Sequence, residues 1–429
     1  MTGPEQTRRT IETVCRIESA KLIAGLTRFV RDVGFAEELA QDAFVAALEQ
    51  WPGSGVPDNP AAWLMTAAKR RAIDRMRRDA RLDRKYSELE GGKPAVQGTR
   101  DDALDAVLEA IDADRDDRRI DDDLLRLIFI ACHPILSAEA RVALTLRLLG
   151  GLTTDEIARA YLVPETTVAQ RIVRAKRTLT AARVPFEIPS ADDRRVRVAS
   201  VLEVIYLIFN EGYAATAGDE WMRPALCEEA LRLGRTLAAL VRDDSEVYGL
   251  VALMELQASR IRARTTANGD PVTLLDQDRA SWDHLLIGRG LAALESAKRL
   301  DAPLGSYALQ ASIAACHARA TEAPATDWVQ IVALYDALAE LVPSPIVDLN
   351  RAIAIGMAYG PQAALEIVEG LAGEPSMRSY HLVHSARGDL LFKLGRAAEA
   401  RTAFERAAAL TRNARERALL LGRAHVSPN

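Results

Sequence analysis

At 429 residues the chain is too long for one compact core, and 49% hydrophobic against 5% aromatic residues, with Ala and Leu abundant, favours helices packed on helices in two or three domains. A formal net charge of −5 excludes the molecule as a whole as a polyanion binder, so any contact with nucleic acid must rest on locally segregated charge. Cys15, Cys132, Cys227 and Cys316 are dispersed and form no CxxC pair; with no signal-like apolar core in MTGPEQTRRT and no run of about eighteen uncharged apolar residues, this predicts reduced thiols, no metal site, no membrane contact and a cytoplasmic location.

The first predicted helix covers 17–33, with Leu22, Ile23, Leu26, Phe29 and Val30 inward, Ile17, Lys21, Ala24 and Arg28 outward, and Gly34 ending it. A second, over 37–51, turns Leu39, Ala43, Ala47 and Leu48 inward and Glu38, Gln41 and Asp42 outward. WPGSGVPDNP then reads as a turn-rich loop. A third helix over 60–86 concentrates charge: between Lys69 and Lys85 nine basic residues stand against three acidic ones, a local net of +6. A basic face of this kind beside a loop suits a phosphate track with room for an unstacked base. Trp63 serves equally well as a stacking platform or a core wedge.

Residues 88–122 begin with linker chemistry, GGKPAVQGT, and run into acid: from Arg100 to Arg126 eleven acidic residues face five basic ones. This is either a solubilising linker or a segment that imitates nucleic acid. A helix over 123–131 ends at Cys132–His133–Pro134, where the proline is sufficient cause. The next, over 137–150, carries Val142, Leu144, Leu146, Leu148 and Leu149 as its core.

Residues 150–183, GGLTTDEIARAYLVPETTVAQRIVRAKRTLTAAR, read as a helix-turn-helix. Thr153 or Thr154 caps a first helix with Asp155 and Glu156 in its first turn, and Pro164 suits the first position of the second. On that second helix Val168, Ile172, Ala175 and Leu179 form one buried stripe. Thr166, Thr167, Gln170, Arg171, Arg174 and Arg177 form the opposite face, with arginine for guanine edges and phosphates, glutamine for adenine, and threonine for phosphates or methyls.

Taken together, AEELAQDAFVAALEQW, NPAAWLMTAAKRRAIDRMRR and LTTDEIARAYLVPETTVAQRIVRAKRTL resemble, in order and spacing, regions 2 and 4 of the extracytoplasmic-function RNA polymerase sigma factors. The resemblance implies an all-α fold: region 2 over 10–87, a linker over 88–122 and the region 4 helix-turn-helix over 123–184. It implies core RNA polymerase (clamp helices and flap) and promoter DNA as partners, no cofactor and no catalysis. Carried over by position, Glu38, Gln41 and Asp42 match the surface that grips the clamp helices. Asp58, Asn59, Trp63, Lys69, Arg70, Arg71, Arg75 and Arg78 match the −10 reader. Thr166, Thr167, Gln170, Arg171, Arg174 and Arg177 match the −35 recognition helix, and Glu165 a position that helps set its contact geometry. The competing reading is a helix-turn-helix regulator with a ligand- or peptide-binding helical domain, which leaves the 69–85 charge unexplained.

A minimal factor of this kind ends near Val184. RVPFEIPSADDRRVRVASVLEVIYLIFNEGYAA resembles a group within the family that carries a C-terminal helical extension, here 190–429, with tetratricopeptide-like repeats, which implies a protein partner or signal for that domain. Helices are predicted over 194–211, 223–240, 245–263, 283–299, 304–322, 326–341, 344–358 and 362–371, joined by short connections. Gly388, Gly395, Ala400, Phe404 and Ala407 have the spacings of one repeat, and Ala352, Ala364 and Val368 give a weaker copy. Two polar clusters stand out, 210–213 and Asp276, Gln277, Asp278, Arg279, Trp282 and Asp283; no nucleophile–base pattern or phosphate loop accompanies them, so they are read as caps and ion pairs between helices.

Overall fold

The computed structural model describes residues 4–89, 117–161, 163–215, 219–300 and 302–425. Eighteen α-helices and no strand occur among the described residues. The chain divides into two compact units, Met1–Val204 and Ile205–Asn429. The acidic stretch 90–116 lies outside the described residues.

In the first unit α1 (Pro4–Val30), α2 (Val33–Ser54) and α3 (Pro60–Leu89) pack together. The boundary between α1 and α2 falls earlier than expected. Arg31 adopts a left-handed φ of 57° and Asp32 caps α2 through Phe35 N at 2.7 Å, so Gly34 lies inside a helix rather than ending one. The cap chemistry of an aspartate outweighed the glycine. Ala24 is fully buried and Leu48 is 38% exposed, both opposite to expectation. Several neighbouring helices cover α1, and α2 buries a narrower stripe than its apolar residues allow.

The α4 helix (Asp117–Ala131) starts six residues before the predicted one, inside the stretch assigned to the linker. Aspartates at a helix start are favourably placed against its dipole. It packs on α1, and Arg28 reaches the buried Asp123 at 3.0 Å. At the corner after α4, Ile135 N donates to His133 Nδ1 at 3.1 Å, which gives that histidine a turn-forming role. Cys132 is buried against Thr145 Oγ1 at 3.4 Å. There follow α5 (Ala138–Leu148), α6 (Thr154–Tyr161) and α7 (Glu165–Ala181).

Helix α8 (Ala191–Tyr213) crosses the boundary between the units. The second unit then runs through α9 (Pro224–Leu240), α10 (Ser245–Ala258), α11 (His284–Arg299), α12 (Ser306–Arg319), α13 (Trp328–Leu341), α14 (Pro345–Tyr359), α15 (Pro361–Gly373), α16 (His381–Lys393), α17 (Ala397–Leu410) and α18 (Ala414–Ala424). Successive helices pair as hairpins. A Cβ on Gly388 would stand 2.7 Å from the Phe404 ring, and one on Gly356 2.9 Å from the Ala364 methyl. Small residues thus admit the aromatic and the neighbouring helix.

The 245–263 helix ends at Ala258, and 261–263 is a 3₁₀ turn. Helix α18 was not anticipated, and it changes the topology. Asn413 caps it and donates through Nδ2 to Ala215 O at 3.2 Å and Glu220 O at 2.8 Å. Arg415 reaches Asp270 at 3.0 Å. The end of this unit therefore returns to its beginning.

Helices α10 and α12 cross at Gly249, where an added Cβ would sit 2.6 Å from Ala308 N. That neighbour is backbone and cannot swing away. Gly249→Ala is expected to destabilise the C-terminal unit by about 1–2 kcal/mol, overpacking outweighing the helix propensity gained. Urea unfolding checks this, and an unchanged or raised midpoint would disprove the close approach.

Candidate nucleic-acid interface

The helix-turn-helix is built locally. Thr153 and Glu156 form a reciprocal capping box: Glu156 N donates to Thr153 Oγ1 at 3.1 Å and Thr153 N to Glu156 Oε2 at 2.7 Å. Gly151, at φ 64°, supplies the turn before it. Pro164 is the residue that precedes α7 rather than its first helical position, and Glu165 opens the helix. The shift is one residue, because the extended backbone of Pro164 (ψ 141°) places it outside.

Val168, Ile172, Ala175 and Leu179 are all buried, as their spacing requires. Against that anchored stripe, Glu165, Thr166, Gln170, Arg174 and Arg177 are exposed and Thr167 and Arg171 half-buried. One helix thus presents a continuous polar face with three guanidinium groups. Arg171 lies close enough to help hold the Glu139 carboxyl below its usual range, after the helix-start backbone and Ser137.

The other candidate residues fall on α2 and α3. Glu38, Gln41 and Asp42 lie on the exposed side of α2, opposite Leu39, Ala43 and Ala47. Two of them pair with cations of α3: Arg75 with Glu38 at 2.9 Å, and Arg71 with Asp42 at 3.8 Å and through its carbonyl. Arg75 also lies over the Phe35 ring, 5.1 Å from its centroid. The structure therefore brings together residues read as two separate surfaces. Arg70 and Arg78 are exposed and Lys69 half-buried, while the side chains of Arg81, Arg84 and Lys85 lie outside those described.

Asp58, Asn59 and Trp63 cluster at the far end of α3. Asn59 Oδ1 accepts from Ala62 N at 3.0 Å and so starts the helix. The Trp63 ring rests edge-on against buried Trp51, centroids 5.2 Å apart, and remains half-exposed. It is a wedge on one side and an open ring on the other.

Sequence reasoning missed the residue that joins these parts. Glu37, 4% exposed, meets Arg147 of α5 at 2.6 Å and Lys176 of α7, and accepts from Gln41 at 2.8 Å. Thr180 donates to Asp32 at 3.0 Å. Between these contacts lies a cleft of about 540 Å³ lined by Asp32, Phe35, Glu38, Arg75, Lys176 and Arg177. The available signal was an acidic pair, Glu37–Glu38, straddling the edge of an apolar stripe, of which only one member can face water.

The chain is similar in sequence to known proteins. A family model described as Sigma-70 region 2 matches residues 18–82, and one described as Sigma-70, region 4 matches 126–179. Residues 197–298 match a family of unknown function (DUF6596). Uncharacterized protein R00370 of Rhizobium meliloti (strain 1021) is 46% identical over 398 residues, 93% of this chain and 91% of that protein. The ECF RNA polymerase sigma factors SigK of Mycobacterium sp. (strain KMS) and Mycobacterium ulcerans (strain Agy99) are each 30% identical, over 151 and 158 residues. Those matches span 34% and 36% of this chain and 69% and 75% of the relatives. No solved structure matches the chain. With both sigma regions in order and a helical extension after them, the chain belongs to the extracytoplasmic-function RNA polymerase sigma factor family.

Proposed function

We propose that this sigma factor docks on core RNA polymerase through Glu38, Gln41 and Asp42. Asp58, Asn59, Trp63 and the basic face of α3 then read the −10 element, and Glu165 to Arg177 read the −35 element in the major groove. Residues 10–87 and 123–184 are the two promoter-reading modules, 88–122 is the tether between them, and 190–429 is a regulatory or partner-binding extension. The site of action is the cytoplasm, and no helix among the described residues is long and apolar enough to cross a membrane. The observation that carries the reading is the polar and cationic face of α7 over its buried stripe. Duplex recognition needs such a face; melted promoter needs a separate basic track with an open ring, which α3 and Trp63 supply.

Run-off transcription with core polymerase on a cognate promoter tests the proposal. Absence of a promoter-specific transcript both from the full chain and from residues 1–186 defeats it. Higher output from the shorter chain assigns an inhibitory role to the extension, and lost output a required one.

Phosphate contacts are separable from base contacts. Arg78 is exposed and donates to the Asp74 carbonyl, whereas Arg75 is held by Glu38. Arg78→Ala is expected to weaken DNA binding evenly across sequences and to reduce the slope of log K against log salt by roughly 0.7–0.9. Arg75→Ala is expected to change the slope less. Fluorescence anisotropy over a salt series reads both, and a sequence-dependent loss for Arg78→Ala contradicts a phosphate role.

A further inference from the structure

The second unit carries positive charge that its own carboxylates do not neutralise. Arg260, Arg264 and Arg279 gather around the rings of Tyr213, Trp221 and Trp282. The Arg264 guanidinium lies 3.6 Å from the Tyr213 ring centroid and 5.7 Å from that of Trp221. Arg260 lies 5.8 Å from Tyr213 and 5.7 Å from Trp282, and Arg279 5.1 Å from Trp282. The shared rings place Arg260 between the other two.

Among the described residues none of these three arginines forms an ion pair, and several acids of the surrounding segments are engaged elsewhere. Glu255 pairs with Arg235 and Arg289, Glu211 with Arg223, and Asp270 with Arg415. Asp276 accepts from Thr273, while Asp278 and Asp283 cap helix starts.

The three guanidinium groups are not equivalent. Arg279, 7% exposed, donates to His317 O and Ala320 O at 2.8 Å each and to Thr326 Oγ1 at 2.9 Å. That is a structural strut tying the 259–283 loop to the end of α12. Arg260 and Arg264, both half-buried, have aromatic faces for company, and a cation–π contact offsets only part of what a guanidinium loses as it leaves water. Burial and the like charge of Arg260 push the Arg264 guanidinium below its ordinary range. Burial, Arg260 and Arg279 push His317 down to about 3, so no further proton is held there. Nearby polar atoms are also left over: Trp282 Nε1, His317 Nδ1, Arg264 Nε and Gln277 Oε1 are buried without a hydrogen-bond partner.

We propose that Arg260 and Arg264, framed by Tyr213, Trp221 and Trp282, form a recognition site for a small oxyanion ligand, a carboxylate or a phosphate. Guanidinium forks match both geometrically, and such an anion supplies the countercharge missing from the cluster. In the same unit Asn413 binds the carbonyls of Ala215 and Glu220, and Arg415 binds Asn268 O and Asp270, in the stretches of chain that carry Tyr213, Trp221 and Arg264.

The test is titration of the full chain with inorganic phosphate and, separately, with succinate. Ionic strength is held constant with sodium chloride, and tryptophan emission and Tm are followed. A saturable change in both readouts with one or both anions is expected. Phosphate alone points to phosphorylated ligands, succinate alone to carboxylates, and both to oxyanions in general. Arg260→Gln and Arg264→Gln are each expected to weaken the response at least tenfold, while Arg396→Gln, an exposed pair with Glu399, leaves it unchanged. A second measurement covers the case in which Arg264→Gln fails to fold. Without ligand, Arg260→Gln removes a repulsive charge and should leave Tm equal or higher, whereas a merely structural arginine would lower it. The proposal is overturned by the absence of a saturable response to either anion, by a response unaltered in both glutamine variants, or by a lowered unliganded Tm in Arg260→Gln.

Discussion

Glu37→Ala is expected to release α5 and α7 from α2 and to destabilise the first unit by about 3 kcal/mol. Removing one member of a buried ion pair strands its partners, a loss of about 3–5 kcal/mol when they are fully enclosed. Here the Arg147 and Lys176 side chains are each 22% exposed, so partial rehydration places the loss at the lower end. Glu38, by contrast, pairs with Arg75 in the open at 58% and 48% exposure, and Glu38→Ala should cost under about 1 kcal/mol. Hydrogen exchange on the full chain reads the difference as lost protection in 138–148 and 165–181. Equal protection in the two variants would refute the role given to Glu37.

The pH dependence of that contact has a definite sign. Burial by itself would raise the Glu37 carboxyl, but Lys176 and Arg147 outweigh it and hold it below the ordinary glutamate range. A carboxyl depressed in the folded state contributes stability above its unfolded value and loses it as the pH falls through the folded one. The advantage of the native chain over Glu37→Ala should therefore be full at neutrality and shrink below about pH 4.3. Asp123, which burial raises despite Arg28 and Arg126, acts in the opposite sense, so the comparison must be between chains that differ only at residue 37. Under the proposed function this contact also has to open. Elements 25 base pairs apart lie about 85 Å apart along B-DNA at 3.4 Å per step, which no arrangement holding Lys176 on Glu37 can span.

The second large effect is expected at Arg171. If its guanidinium makes a bidentate contact to a guanine edge, Arg171→Ala will cost about 1–3 kcal/mol on the cognate −35 duplex, roughly 5- to 150-fold in affinity, with discrimination relaxed at one base pair. Arg171 is half-buried beside Glu139, so its approach to DNA is constrained, whereas Arg174 is free in solvent. Binding measured on the cognate duplex and on single-base variants separates the outcomes. A uniform loss across all duplexes would reassign Arg171 to the phosphates.

The helix-turn-helix was legible because its information is local. A capping threonine with Glu156 three residues on, a break at Pro164 and a stripe at helical spacing each act over one or two turns. Errors at α1 and α2 came from competing local signals, Asp32 against Gly34. Ala24 and Leu48 were misplaced for a different reason: an alanine fits either face, and only the number of neighbouring helices decides. The caps at Asp278 and Asp283 followed the expected pattern, since an aspartate before a helix has an immediate backbone partner.

From the sequence alone follow the all-α class, the two sigma-like modules in order, and the amphipathic face of α7, all set by periodicity, caps and charge within a few residues. Only the tertiary structure decided that Glu37 faces inward onto Arg147 and Lys176, that Glu38 and Asp42 pair with arginines of the basic helix, and that Asn413 closes the second unit onto Ala215 and Glu220. The same holds for Arg260 and Arg264, which meet aromatic rings instead of acids. Each of these contacts joins groups on different elements, in most cases dozens of residues apart, and whether a charge is compensated depends on what burial removes and which partner the fold delivers, which no local pattern encodes.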